Sequence, residues 1–171
     1  MATVTEFIPG TPDGDRHWLA LAVELSRACP PSESAFSVGA VLVGPGGSVI
    51  STGYSREDDP KNHAEESALA KAAAAGADTA GATMYSSLEP CLTRVSRPVS
   101  CARLIAAAGI RRVVIAWREP PVFQPGGGAE WLQRYGITVV EYPELATAAR
   151  AVNEHLAGRR RSAPRASEQG D

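Results

Sequence analysis

Residues 82–117 read ATMYSSLEPCLTRVSRPVSCARLIAAAGIRRVVIAW. The run ATMYSSL at 82–88 predicts a strand, and RVVIAW at 112–117 is an apolar, branched strand of the kind buried on both faces of a sheet. Between them Cys101, Leu104, Ile105 and Ala108 share one side of a helix expected over about 99–108, which Gly109 stops. A strand, a helix and a strand joined by short loops favour parallel pairing with a right-handed crossover.

Working outward from this unit, the pattern continues on both sides. Trp18, Leu21, Ala22, Leu25 and Cys29 recur at helical spacing, which predicts an amphipathic helix over 15–29 ended by Pro30 and Pro31. VGAVLV at 38–43 and SVISTGY at 48–54 flank the turn Gly44-Pro45-Gly46-Gly47 and read as a hairpin. Asn62 is placed to cap a helix running to about Ala75 and stopped at Gly76. Beyond residue 117 a helix near 129–135, a strand ITVVE at 137–141 and a last helix from Pro143 to about Leu156 are expected. The sum is an α/β fold: a three-layer α/β/α sandwich with a five-stranded mixed sheet and helices on both faces. Residues 14–157 form its single domain. Residues 1–13, rich in Thr, Pro and Gly, read as a flexible tail, and residues 158–171 (GRRRSAPRASEQGD) as a disordered basic tail.

The 171 residues are about one domain's length. A net charge of −2 leaves no electrostatic footprint for a nucleic-acid backbone or an anionic membrane. No run approaches membrane-span length, and MATVTEFIPG lacks the basic and apolar blocks of a secretory signal. A cytoplasmic, reducing location is the expectation. Three cysteines are an odd number in a chain too long to need stapling, so thiols are available as metal ligands.

The chemistry concentrates in two places, NHAEE at 62–66 and EPCLTRVSRPVSC at 89–101. His63 and Glu65 fall in the first turn of one expected helix, Cys91 just past a strand, and Cys101 at the start of the next helix. The partial positive charge of a helix N-terminus favours thiolate, the form that binds zinc. One imidazole and two thiolates make a three-ligand Zn2+ site whose fourth position takes water, which the metal acidifies towards neutrality. Glu65 is placed to shuttle a proton beside that site without ligating it. The pattern H-x-E followed by P-C-x-x-C marks zinc nucleobase deaminases. His63-Ala64-Glu65 and Pro90-Cys91 match it, although nine residues separate the two cysteines instead of two.

Taken singly, each residue has a plain structural reading. Glu65 stands three places after Asn62, where a capping-box acid sits, and Cys101 is small enough to be a core residue. Cys29, His17 or His155 could supply a fourth ligand and close the site, making it structural. The ordered set favours catalysis over those readings. A non-catalytic, zinc-stabilised binding protein is the alternative of another class.

With these motifs the sequence resembles the cytidine deaminase superfamily, most closely the deaminase domain of the riboflavin-biosynthesis deaminase-reductase. The resemblance runs from about His17 to Glu141 and rests on VGAVLV, HAE at 63–65, SLEPC at 87–91, Arg97 four residues before the second cysteine, LIAAAGI at 104–110 and RVVIA. It implies a cytidine-deaminase-like fold, zinc held by His63, Cys91 and Cys101, and Glu65 as proton carrier. The implied reaction is hydrolytic loss of ammonia from an aminopyrimidine or cytosine-type nucleoside or nucleotide, by a homodimer or homotetramer. The wide cysteine spacing is close to the riboflavin type and one residue longer; in cytidine, cytidylate and tRNA-adenosine deaminases the gap is usually short. Two departures bear on the substrate. Leu92-Thr93-Arg94-Val95-Ser96 replaces a polar, histidine-rich stretch, and Ala35 stands where both branches usually place a sugar-contacting Asn, with Phe36 and Ser37 following. No companion reductase domain follows, so the chain reads as a stand-alone deaminase; a cytidine, deoxycytidylate or free-base deaminase of a specialised pathway is the alternative. Ala35, Phe36, Ser37, Arg94 and Arg97 are the candidate substrate contacts, the two arginines for a phosphate. The glycine run at 126–128 reads as a connection or subunit contact, and Trp117 and Phe123 as packing.

Overall fold

A computed structural model of the chain describes residues 7–157. Among these residues five α-helices and five strands follow one another: α1 (Pro12–Ser26), β1 (Gly39–Val43), β2 (Val49–Tyr54), α2 (Ala64–Ala74), β3 (Thr83–Ser86), α3 (Cys101–Ala107), β4 (Arg112–Ile115), α4 (Gly128–Arg134), β5 (Thr138–Glu141) and α5 (Ala146–Val152). The sheet order is β2-β1-β3-β4-β5. β1 runs antiparallel to both β2 and β3, whereas β3, β4 and β5 are mutually parallel. This is the expected mixed sheet.

Side chains leave a strand alternately on its two faces. Ala40, Leu42, Met84, Val113 and Ile115 therefore pack with α2, α3 and α4 residues such as Ala68, Ile105 and Leu132. Val41, Val43, Tyr85 and Val114 pack on the other face with Leu19, Ala22 and Val23 of α1 and Ala149 of α5. Helices on both faces make three layers. α2 approaches β2 so closely that a Cβ on Gly53 would lie 2.3 Å from the Ala64 carbonyl oxygen, so only glycine fits there.

Several boundaries differ from the sequence reading, each for a local reason. α1 starts at Pro12, before the expected domain edge at 14, because Thr11 accepts the Gly14 N–H at 3.1 Å and Pro12 suits the first turn. It ends at Ser26, so Cys29 lies beyond it, with Sγ 3.3 Å from the Val38 carbonyl. Residues 7–11 lie against α1: Phe7 stacks on His17, and Trp18 Nε1 donates to the Phe7 carbonyl at 2.7 Å. The last helix is broken into a 3-10 turn at Pro143–Leu145, α5, and a second 3-10 turn at Glu154–Leu156. At the second break, buried Asn153 bonds the Ser37 backbone at both N–H and carbonyl. Residues 1–6 and the basic stretch 158–171 fall outside the described residues.

On the α1 face Asp15 is buried under four partners. It accepts from the Gly10 N–H (3.0 Å), Tyr85 Oη (2.7 Å), Tyr142 Oη (3.2 Å) and both terminal nitrogens of Arg112. Burial by itself raises the Asp15 carboxyl, but these partners hold it below the usual carboxylate range. The cluster ties α1 to β3, β4 and the segment after β5.

Candidate active site

The chemistry-bearing residues meet where the parallel strands end, the usual position for a ligand crevice in such sheets. β3 ends at Ser86 and delivers Ser87-Leu88-Glu89-Pro90-Cys91; α2 and α3 bring their N-termini to the same place. The N-cap of α2 is His63, not Asn62, and Glu66, not Glu65, takes the capping-acid position: its carboxylate accepts the His63 N–H at 3.3 Å. Glu65 is thereby free of the capping role. It is buried at 3 % exposure, and Ser86 Oγ donates to its Oε1 at 3.0 Å. Burial pushes the Glu65 carboxyl up, opposed in part by His63.

His63 Nδ1 lies 3.5 Å from Cys91 Sγ and 3.5 Å from Cys101 Sγ, and the three donor atoms lie within 4.8 Å of one another. Ligand bonds of about 2.3 Å to sulfur and 2.0–2.1 Å to nitrogen put tetrahedral S and N ligands about 3.6 Å apart, so the cluster fits zinc. α3 is capped by Ser100, and its first amide, the Cys101 N–H, points at Cys91 Sγ at 3.4 Å. A hydrogen bond from the Cys101 thiol holds Cys91 down to about 4 against its burial, helped by His63. The same bond, with burial, pushes Cys101 well up. Among the described residues no fourth side chain joins the group. Cys29 faces the Val38 carbonyl, His17 stacks on Phe7, and His155 Nε2 sits 2.8 Å from the Ser32 carbonyl. Three donors match an open, catalytic type of site rather than a closed structural one.

A cavity of about 420 Å³ opens over His63, Glu65 and Cys91, large enough for a nucleotide-sized ligand. Ala35 and Phe36 line it; Ser37 does not. Ser37 is turned into the protein, its Oγ accepting from Arg56 and its N–H donating to Asn153. Phe36 meets Phe123 and Trp117 edge-on, at 5.1 and 5.5 Å between ring centroids, to form an apolar wall. Arg94 lines the cavity, but its guanidinium already bonds Glu66, Ser96 and the Lys61 carbonyl. Arg97 hydrogen-bonds Asp59 and Asn62, and its Nε lies 3.2 Å from Glu66 Oε1 as an ion pair without hydrogen-bond geometry.

Three cavity residues had no signal of their own in the sequence. Arg56, in the left-handed backbone region at φ 61°, holds the 30–37 loop through the Pro30 and Phe36 carbonyls. Glu89 takes the Glu119 and Ala129 N–H groups, each at 2.8 Å, and so pins the segment between them. Gly128 lets that segment pass Pro90, whose carbonyl oxygen would sit 1.8 Å from an added Cβ. Glu119 itself lines the cavity, with one buried carboxyl oxygen, Oε2, lacking a hydrogen-bond partner. Burial, then the neighbouring Cys91, Glu89 and Glu65, pushes its carboxyl up to about 8. Only the SLEPC resemblance touched Glu89, and nothing local marks the other two.

The family model for the cytidine and deoxycytidylate deaminase zinc-binding region matches residues 12–117. The chain belongs to that deaminase family. This deaminase domain is 39 % identical over 132 residues to a diaminohydroxyphosphoribosylamino-pyrimidine deaminase of Schizosaccharomyces pombe, covering 76 % of this chain and 32 % of the relative. It is 37 % identical over 129 residues to the riboflavin biosynthesis protein RibD of Aquifex aeolicus, covering 73 % of this chain and 34 % of that one. The deaminase domain thus spans about a third of the length of these curated relatives. The crystal structure of a Thermotoga maritima diaminohydroxyphosphoribosylaminopyrimidine deaminase/reductase superposes with a TM-score of 0.65 at 31 % identity, over 82 % of this chain and 38 % of that one. Family membership and donor geometry agree on zinc as the cofactor.

Proposed function

We propose that this domain hydrolytically deaminates a phosphoribosylated aminopyrimidine, in a reaction of the riboflavin-biosynthesis type. The observation that carries the reading is the buried Glu65 carboxyl, fixed by Ser86 beside the His63, Cys91 and Cys101 donor cluster. Zinc held by those three side chains supplies a water acidic enough to act as nucleophile at neutral pH. Glu65, raised by burial, would take a proton from the attacking water and deliver it to the ring nitrogen next to the attacked carbon, then carry a second proton, from the new hydroxyl group, to the leaving amine. A C–O bond forms, a C–N bond breaks, and ammonia leaves. Phe36 and Phe123 wall the cavity as an apolar flank for a flat ring.

The relatives' names supply the substrate class. Glu119 supports it, because its buried, unpartnered carboxyl oxygen leaves a hydrogen-bonding group in the cavity lining for a polar ring substituent beyond the leaving amine. Lys61, exposed among the cavity-lining residues, is the cation available for a substrate phosphate. A cytosine-type nucleotide is the second reading; the replacement of the histidine-rich stretch by Leu92–Ser96 favours it. The enzyme works in the cytoplasm as a homodimer or homotetramer.

Ammonia release from diaminopyrimidinone ribosyl phosphate, cytidine, cytidylates, cytosine and guanine tests these readings in one panel. The first substrate is expected to turn over best. Preference for a cytidylate would move the assignment to the second reading, and no release from any compound would leave a zinc-stabilised binding protein.

A further inference from the structure

Between the two cysteine donors runs a loop whose arginines turn inward to α2. Arg94 has a side chain only 3 % exposed, and every nitrogen of its guanidinium is engaged. Nη1 donates to Glu66 Oε2 at 2.9 Å, Nη2 to the Lys61 carbonyl and Ser96 Oγ, and Nε to Ser96 Oγ at 3.2 Å. Arg97 adds a second grip, with Nε 3.2 Å from Glu66 Oε1 and Nη2 donating to Asn62 Oδ1 at 2.8 Å. Glu66, in turn, accepts the backbone N–H of His63. The carboxylate shared by both arginines therefore also fixes the residue that carries the third metal donor.

We propose that Arg94 and Glu66 are positioning residues for the metal centre, an ion-paired clasp that locks the inter-cysteine loop onto the first turn of α2. The donors come from segments 28 and 38 residues apart in sequence. Such a set binds an ion tightly only when its segments are held in place beforehand, because ordering them on binding costs affinity. A largely buried ion pair of this kind also cannot lose one member without leaving the other uncompensated. These contacts leave Arg94 a single Nη1 N–H and no bidentate face for a substrate phosphate, so its contribution is to zinc retention rather than to phosphate recognition. This inference rests on the metal-centre reading above.

Zinc affinity of the full chain, measured by competition with a chromophoric chelator, tests it. Arg94→Gln is expected to bind zinc about 10–100-fold more weakly than wild type, and Glu66→Gln to weaken it comparably. The double variant is expected to lose no more than the stronger single loss, because both act through one contact. Arg94→Lys, which keeps the charge opposite Glu66, recovers part of the affinity and serves if Arg94→Gln does not fold. At saturating zinc the variants lower kcat with KM little changed. Wild-type zinc affinity in Arg94→Gln overturns the proposal, even with a lowered melting temperature. Unchanged zinc affinity with a raised KM for phosphorylated substrates alone would reassign Arg94 to the phosphate. Wild-type protein that takes up no zinc would instead refute the metal-centre reading itself.

Discussion

Glu89→Gln isolates the contact that shapes the far wall of the cavity. Glu89 is 4 % exposed; its Oε1 accepts the Ala129 N–H and its Oε2 the Glu119 N–H, both at 2.8 Å. Glutamine keeps the shape but offers a single acceptor, so its amide N–H2 faces one of the two backbone donors. A hydrogen bond to a charged acceptor contributes about 1.5–3 kcal/mol, and an orphaned buried donor costs about 1–3 kcal/mol. Relaxation of the loop relieves part of that sum, which leaves a loss of about 3 kcal/mol. In a protein of this length the loss lowers Tm by roughly 6–12 °C. Arg118 is 3.7 Å from Glu89 but also pairs with Glu130 and Glu141, so it does not drive the loss. Because the loosened segment carries Glu119 and Phe123, KM is expected to rise alongside. Urea denaturation followed by tryptophan fluorescence, with steady-state ammonia release on the same samples, reads both effects. A stability loss under about 1 kcal/mol with unchanged KM would refute the argument that Glu89 builds this wall.

Two further changes probe the fold and its titration. Asp15→Asn leaves Arg112 without its carboxylate and is expected to cost about 3 kcal/mol in chemical denaturation, with zinc content and KM unchanged. Since the folded Asp15 pKa is depressed, its stabilisation is present above the unfolded carboxylate range and lost as pH falls; the gap between wild type and variant should narrow towards pH 3. Glu119 has the opposite sign. With its folded carboxyl raised to about 8, its contribution to stability is complete below about pH 4.5 and is lost as pH rises towards 8. Glu119→Gln removes that slope, so the variant should melt above wild type at pH 8.5, by roughly 2–4 °C for each kcal/mol relieved, and with it at pH 4. Equal melting temperatures at both pH values would contradict the buried, unpartnered state of Glu119.

The strands and the metal donors were legible because their signals are local. Alternating or continuous apolar runs gave all five strands, and H-x-E, Pro-Cys and a cysteine opening a helix marked the donor set within a few residues each. Helix ends were less legible. Asn62 and His63 are adjacent candidates for one cap, and backbone geometry rather than residue type selected His63. The shift also moved the capping acid from Glu65 to Glu66, freeing the first for the site. Contacts across 20 to 40 residues left no mark in the chain. Arg94 and Arg97 look like solvated or phosphate-binding loop residues until Glu66 is brought beneath them. Glu89 and Glu119 acquire roles only when the ends of β3 and β4 meet, and Arg56 only when the end of β2 meets the loop before β1. Ser37 followed Phe36 as a candidate contact, but Arg56 and Asn153 draw it away from the cavity.

Paired zinc analysis and ammonia-release assay of wild type and Glu65→Gln bear most directly on the catalytic account. The expected result is one zinc per chain in both proteins, with turnover of the preferred aminopyrimidine reduced about 10²–10⁴-fold in the variant. Turnover retained in zinc-loaded Glu65→Gln, or a wild type that deaminates without bound metal, would contradict it.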